Sequence, residues 1–376
     1  MSVSGSAAGG EPVGVGIVGL SAGGGWGARG HLPALAAVPG LHPVASSASS
    51  PESAKAAGER YGIPLTFGSA AELAACPDVD LVVVSVQAAK HAQAVMAAIE
   101  AGKHVYCEWP LATSAAEAAG FAEAARGRDV RGFVGLQARS APVIRYVRDL
   151  VESGWVGEVL STTLVASGMS WGAESDSRTS YLLARDGGST MLAIPFGHVI
   201  DALQFCLGEF VDVAALLANR RPYVRDSASG DLVPKTTDDQ IAVHGLLDGG
   251  AVASVHFRGG RSGGTNFHWE INGTEGDLML TGPHGHLQLA PVTLRGARHA
   301  DGEPVELPVP AEYHQVSLSR ENPADPAGNL ANAYAALLRD LRQGTSEIPD
   351  FAHGVRHHEL IEAVLRADAG KCRVRR

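Results

Sequence analysis

The chain has 376 residues and is 45% hydrophobic, an apolar share that excludes wholesale disorder and a length that predicts two domains. Its formal charge of -10 argues against broad attraction to nucleic acid or to an anionic membrane. Cys76, Cys107, Cys206 and Cys372 lie too far apart for a disulfide framework or a zinc module and read as reduced thiols of a cytoplasmic protein.

In chain order, residues 1–12 read as a disordered Ser/Gly/Ala leader without the basic start and apolar core of a signal peptide. A buried-strand pattern over Val13–Leu20 runs into a glycine-dense turn and a helical window at Gly30–Val38. Strand patterns follow at Leu41–Ser47, Asp80–Val86 and His104–Cys107, with an apolar run at Val130–Leu136. They alternate with helical windows at Glu52–Tyr61, His91–Ala101 and Ala115–Arg126. Strict alternation predicts right-handed βαβ crossovers and an α/β Rossmann domain, a doubly wound parallel sheet, over residues 13–137.

The rhythm changes beyond Gln137. After a helix at Val143–Ser153 come strand patterns at Glu158–Ala166, Val211–Asn219, Ile241–Leu247, Ala251–Arg258, Thr265–Asn272 and Gly276–Thr281. Turn signals such as Asp248-Gly249-Gly250 and Asn272-Gly273 suit antiparallel hairpins. Helices are predicted at Phe196–Leu207, Asn329–Gln343 and Gly354–Ala369, and residues 285–310 read as irregular. Residues 138–376 are therefore predicted as an α+β domain with a large open antiparallel sheet, its terminal helices packing back on the first domain. No stretch is long and apolar enough to span a bilayer.

The loop from Gly19 through Ser21, Gly25 and Trp26 follows a strand and precedes a helix. In that context a pyrophosphate rests on backbone N–H groups at a helix N-terminus, although Ser21 takes the place of the second glycine of the usual fingerprint. At the end of the second strand, where an NAD site places a carboxylate, the chain reads Ala45-Ser46-Ser47-Ala48-Ser49-Ser50-Pro51. With no acid to repel a 2′-phosphate, and Ser49 and Ser50 available to donate to one, NADP is favoured and NAD is the alternative.

Several stretches recur in order. They are Val15-Gly16-Ile17-Val18-Gly19, His31-Leu32-Pro33-Ala34, Ala101-Gly102-Lys103-His104-Val105, Glu108-Trp109-Pro110-Leu111-Ala112 and Gly273-Thr274-Glu275-Gly276. On these the chain resembles the glucose–fructose oxidoreductase/inositol dehydrogenase/rhizopine-catabolism (Gfo/Idh/MocA) family. The resemblance implies NAD(P)-dependent oxidation of sugars or cyclitols, and homodimers or homotetramers built on the antiparallel sheet. It places Ser85, Val86 and Gln87, with His91, under the cofactor, and Gln137 and Arg139 near the nicotinamide or the substrate. Two departures stand out. Trp109 replaces a catalytic lysine, and Ile194 replaces an aspartate four residues before His198. These departures resemble the branch similar to the fungal galactose-regulon repressor, a regulator that keeps the fold and binds a dinucleotide.

His198 is the best candidate base, in the first turn of a helix whose dipole disfavours imidazolium, with Asp201 one turn on to orient it. The catalytic expectation is His198 with Glu108, the latter at a strand end near the nicotinamide ribose. Trp109 is read either as a wall of the nicotinamide and substrate pocket or as core. Arg178 and Tyr181 are candidate substrate contacts beside Trp109, Arg139 and His198. His353 and His357, four apart on an exposed helix face, and the turn His284-Gly285-His286 are given no role, so no metal is expected. Lys371–Arg376 reads as a frayed basic end. Two functions follow. One is an NADP-dependent oxidoreductase of a sugar, sugar acid or polyol; the alternative is a non-catalytic dinucleotide-binding regulator with a protein partner.

Overall fold

A computed structural model describes residues 11–300, 302–322 and 325–376; the predicted leader falls, through residue 10, outside them. Six parallel strands form the first sheet: β1 (Val13–Val18), β2 (Leu41–Ser47), β3 (Leu65–Phe67), β4 (Leu81–Val84), β5 (His104–Glu108) and β6 (Gly132–Gly135). Their order is β3-β2-β1-β4-β5-β6, so the direction of winding reverses between β1 and β4. In an open α/β sheet that switch point is where a crevice forms beyond the strand ends. The four residues of β4 are all buried, which is why the strand shows as an unbroken β-branched run in the sequence.

Helix boundaries follow local chemistry. Ser50 caps the helix Pro51–Tyr61 by accepting a hydrogen bond from the N–H of Ser53, and Gly62 ends it in the left-handed region at φ 71°. Ser114 caps Ala115–Gly127 in the same way through Glu117 N–H. The three-residue β3 and the five-residue helix Ala70–Ala74 are too short to leave a periodic signal.

The remaining strands are β7 (Val159–Ser167), β8 (Glu174–Ser175), β9 (Phe210–Ala218), β10 (Tyr223–Asp226), β11 (Leu232–Pro234), β12 (Gln240–Leu247), β13 (Val252–Arg258), β14 (Phe267–Gly273), β15 (Gly276–Gly282), β16 (Thr293–Arg298), β17 (Val305–Glu306) and β18 (Val374–Arg375). Nine of them form one sheet in the order β17-β16-β15-β14-β7-β13-β12-β9-β18, in which only the β7–β13 pair is parallel. Along β13 buried and exposed positions alternate, so one face carries the helices. Strands β16 and β17 correct the irregular reading of residues 285–310. The terminus is not frayed either, because β18 pairs with β9 and the Arg376 N–H bonds the Val211 carbonyl at 2.9 Å.

Two long helices tie the sheets together. Pro326–Gln343 lays Leu330, Tyr334 and Leu337 against Ile17, Leu81, Tyr106 and Phe133 of the parallel sheet; side chains of this size contribute roughly 1.5–3 kcal/mol each when buried. Phe351–Gly370 packs its N-terminal end on Ala115–Gly127, with Phe351 against Phe121, and continues along β9. No helix among the described residues is long and apolar enough to cross a membrane.

Candidate functional site

The carboxyl end of β1 opens into the predicted loop. Gly19 sits at φ +96°, and a Cβ there would lie 2.5 Å from the Ser85 carbonyl oxygen, so only glycine lets β1 and β4 close at this point. Gly24 and Gly25 adopt φ +99° and +103° with open space where their side chains would be. Ser21 shapes the bend from within: its Oγ accepts from Gly23 N–H at 3.2 Å, and its carbonyl accepts from the Gly24 N–H and the Tyr61 hydroxyl. A wide π turn, Gly27–His31, follows.

Beyond this loop lies a cavity of about 550 Å³ bordered by Gly19, Ser85, Glu108, Trp109, Tyr181 and His198, among others. That size suits a small-molecule site. Trp26, Val86, Gln87, His91 and Gln137 also border it, so most of the sequence-derived candidates converge here. Lys90 adds a cation at the rim.

Glu108, at the end of β5, is buried. The Gln137 amide donates to its Oε2 at 3.4 Å, and His31 Nε2 lies 3.3 Å from its Oε1. The other His31 nitrogen meets the Tyr334 hydroxyl at 2.5 Å. Burial pushes the Glu108 carboxyl up, but His31, His198 and Gln137 together hold it below its ordinary value. Glu108 is therefore an anion at neutral pH, anchored from behind.

His198 is 2% exposed and its Nδ1 has no hydrogen-bond partner. Burial brings its pKa down to about 4, against the opposing pull of Glu108 and Asp201, so the ring is neutral and free to accept a proton. Desolvation rather than the helix dipole leads this shift. The helix Gly197–Leu207 continues directly from the π turn Leu192–Phe196, which places His198 past the helical start. Asp201 does not orient the ring; its carboxylate is held by Arg139 and by His353.

A second histidine was missed. His286 is no turn tip but is buried, with Nε2 unpartnered, and it borders the same cavity. Burial, then the neighbouring His284 and His198, bring its pKa down to about 3. Its ring stacks on Trp171 with centroids 6.3 Å apart. The segment is folded under the sheet, since a Cβ at Gly285 would press on Ala166 and Phe257. The His-Gly-His spacing carries no periodicity, and its burial depends on strands more than 20 residues away in sequence.

Trp109 is a wedge. Its indole N–H donates to the Ala193 carbonyl at 2.6 Å, and its rings lie 4.6 and 4.4 Å from those of His357 and His358. It is 4% exposed, so the core alternative holds while one edge still borders the cavity.

Other candidates lie elsewhere. Arg139 turns away from the cavity because Asp201 binds it through two hydrogen bonds. Arg178 is exposed and pairs with Asp176. His353 and His357 are not exposed helix histidines: one bonds Asp201 at 2.7 Å, the other the Gly197 carbonyl at 2.9 Å. His91 holds the chain beneath the cavity, with Nε2 3.0 Å from the Val86 carbonyl and Nδ1 3.2 Å from Cys107 Sγ. Donation to Val86 leaves Nδ1 to accept from the thiol. Ser50 spends its hydroxyl on the helix cap, and Ser49 precedes it at the same edge as Gly19.

The residues present fit a dinucleotide. The loop has a side-chain-free cradle at Gly24 and Gly25, and at the inner end buried Gln137 Oε1 lacks a hydrogen-bond partner.

Residues 13–136 match the model of an oxidoreductase family with an NAD-binding Rossmann fold, and residues 142–282 match the C-terminal domain of Gal80p. A dehydrogenase of Aspergillus oryzae, aclE, is 32% identical over 339 residues, covering 88% of each chain. The chain belongs to the Gfo/Idh/MocA oxidoreductase family. The galactose/lactose metabolism regulatory protein GAL80 of Saccharomyces cerevisiae is 29% identical over 303 residues, 75% of this chain and 70% of that one. A solved structure of a super-repressor mutant of that protein superposes with a TM-score of 0.87 at 25% identity, covering 97% of this chain and 98% of that one. Levoglucosan dehydrogenase of Pseudarthrobacter phenanthrenivorans is 29% identical over 283 residues, 69% of this chain and 72% of that one. Relatives of this family member thus include dehydrogenases, one of them of levoglucosan, and a regulator.

Proposed function

We propose that the protein is an NADP-dependent oxidoreductase acting on a sugar, sugar acid or polyol. The observation that carries this reading is His198, a neutral buried imidazole with an unpartnered nitrogen, bordering the same cavity as the glycine loop. When bound, the nicotinamide supplies the hydride acceptor or donor. Gly19, Ser21, Gly25 and Trp26 hold the diphosphate end, and Ser49 meets the 2′-phosphate without a carboxylate to repel it, the Ser50 hydroxyl being taken up by Ser53. Gln137 and Glu108 position the inner end. His198 takes the proton of the substrate hydroxyl, and Tyr181 and His286 line the space for the rest of the substrate. Polar groups with neutral rings suit an uncharged polyhydroxylated molecule.

The second reading, a dinucleotide-binding regulator that engages another protein, draws on Trp109. Its indole fills the place where the family resemblance implies a lysine, and it is committed to Ala193 and two histidine rings. The deciding experiment is a screen of sugars, sugar acids and polyols with NADP and NAD, read by nucleotide absorbance. Turnover with NADP preferred supports the enzyme. Tight nucleotide binding without turnover on any of them rejects it in favour of the regulator, and preference for NAD overturns the cofactor assignment.

A further inference from the structure

Two turns further along the helix that carries His198, at Phe205, lies a second cavity, of about 410 Å³, and it shares no lining residue with the first. Five arginines line it: Arg131, Arg139, Arg145, Arg148 and Arg356. Only two carboxylates do, Glu347 and Asp350. The lining itself carries five cations and two anions, and carboxylates behind it stand against three of the arginines.

The two acids are already committed. Glu347 receives both of its short bonds from Arg339, at 2.7 Å each, and Asp350 caps a helix through the His353 N–H at 2.7 Å. Asp201 neutralises Arg139 from behind, while Arg148 pairs with Glu152 and Arg356 stands 3.8 Å from Glu209. Arg131 spends its donors on the Asp340 and Thr345 carbonyls, which satisfy hydrogen bonds but carry no neutralising charge.

Arg145 is the least compensated. Its nearest carboxylate, Glu347, is 4.0 Å away, and its Nε is buried without a hydrogen-bond partner. Burial, and then the charges of Arg339, Arg148 and Arg139, disfavour its cation against the pull of Glu347. The fork is also held in place. Phe205 lies between two of the arginines, with the guanidinium carbons of Arg139 and Arg148 4.8 and 4.6 Å from its ring centroid. A group of guanidiniums in which Arg139 and Arg145 are largely buried, Arg145 keeps an unspent donor and Arg148 and Arg356 face the solvent matches a tetrahedral dianion.

We propose that this cavity binds a phosphoryl group, as a small phosphorylated metabolite or as inorganic phosphate, at a site separate from the dinucleotide crevice. Such an anion competes with Asp201 for Arg139. Because Asp201 lies one turn from His198, occupancy reaches the helix that borders the first cavity. The inference does not depend on the redox reading.

The test is calorimetry on the full chain with inorganic phosphate and with glycerol 3-phosphate, at constant ionic strength against chloride. Saturable binding is expected, weakened at least tenfold by Arg145→Gln and several-fold by Arg148→Gln. The Arg148 side chain is 40% exposed, so its replacement decides the matter should Arg145→Gln fail to fold. Tighter binding of glycerol 3-phosphate identifies a phosphate ester as the ligand, whereas equal binding identifies free phosphate. Heat indistinguishable from chloride, or phosphate binding that survives both substitutions, overturns the proposal.

Discussion

Trp109 and Gly197 are matched to each other: a Cβ on Gly197 would stand 2.5 Å from the indole Nε1. The same nitrogen donates to the Ala193 carbonyl, which the π turn leaves available. Pro195 has no N–H to give, the Phe196 N–H reaches back to Met191, and the Gly197 N–H goes to Ile194. One indole thus caps an irregular turn, and one missing side chain makes room for it.

Gly197→Ala is expected to cost about 1–3 kcal/mol through overpacking, and Trp109→Phe a similar amount by taking the indole donor from the half-buried Ala193 carbonyl. Because the shorter ring retreats from Gly197, the double variant should be less destabilised than the sum of the two. Chemical denaturation of the four proteins measures the coupling, and strict additivity would show that the two residues are not matched.

Much of this was legible in the sequence. Gly19, Glu108, Gln137 and His198 sit at strand or helix ends, where period and turn chemistry locate them, and all of them reach one cavity. Residues placed by long-range contacts were not legible. Arg139 is turned away by Asp201, 62 positions later, and His286 is buried only because its loop folds beneath β7 and β13. The short β3 and β17 give too few residues for alternation to register, and in β16 one of the two buried positions is Gly296, so its sequence shows no apolar alternation.

Acid should destabilise the protein well above the range where carboxylates titrate. His198 and His358 are brought down to about 4, and His286 and His357 to about 3, mainly by burial in each case. In the unfolded chain they protonate near the ordinary histidine value of 6.5. Below that pH the unfolded state binds protons that the native state refuses, so stability is lost as pH falls from about 6.5 toward each folded value. Each ring contributes a slope of up to about 1.4 kcal/mol per pH unit. Glu108 and Asp201, whose pKa values are depressed, add their losses only below the usual carboxylate range. Unfolding free energies at several pH values between 7 and 5 test this, and His286→Phe should flatten the slope by one proton; an unchanged slope would refute its burial as a neutral ring.

Gly19→Ala is expected to abolish dinucleotide binding while leaving a folded chain. The new methyl must occupy the left-handed region and displace Ser85 or Val86, at about 1–3 kcal/mol, and this splays the two strand ends that frame the cradle. Nucleotide titration with circular dichroism as the folding control distinguishes the outcomes. A folded variant that binds as tightly as the parent would remove the diphosphate from this loop.

His198→Ala separates binding from proton transfer. The ring belongs to the helix Gly197–Leu207 and not to the glycine loop, so the nucleotide dissociation constant should stay within about twofold, while turnover on any substrate found in the screen falls by roughly 10²–10⁴, the usual worth of a positioned base. With a folded-state pKa of about 4, the parent's kcat/KM should hold level as pH drops through 6 and decline only as that pKa is approached. An inflection near 6.5 would mean a solvated imidazole, and so a different base. Equal loss of nucleotide affinity and turnover would mean that His198 serves the cofactor rather than the hydroxyl proton.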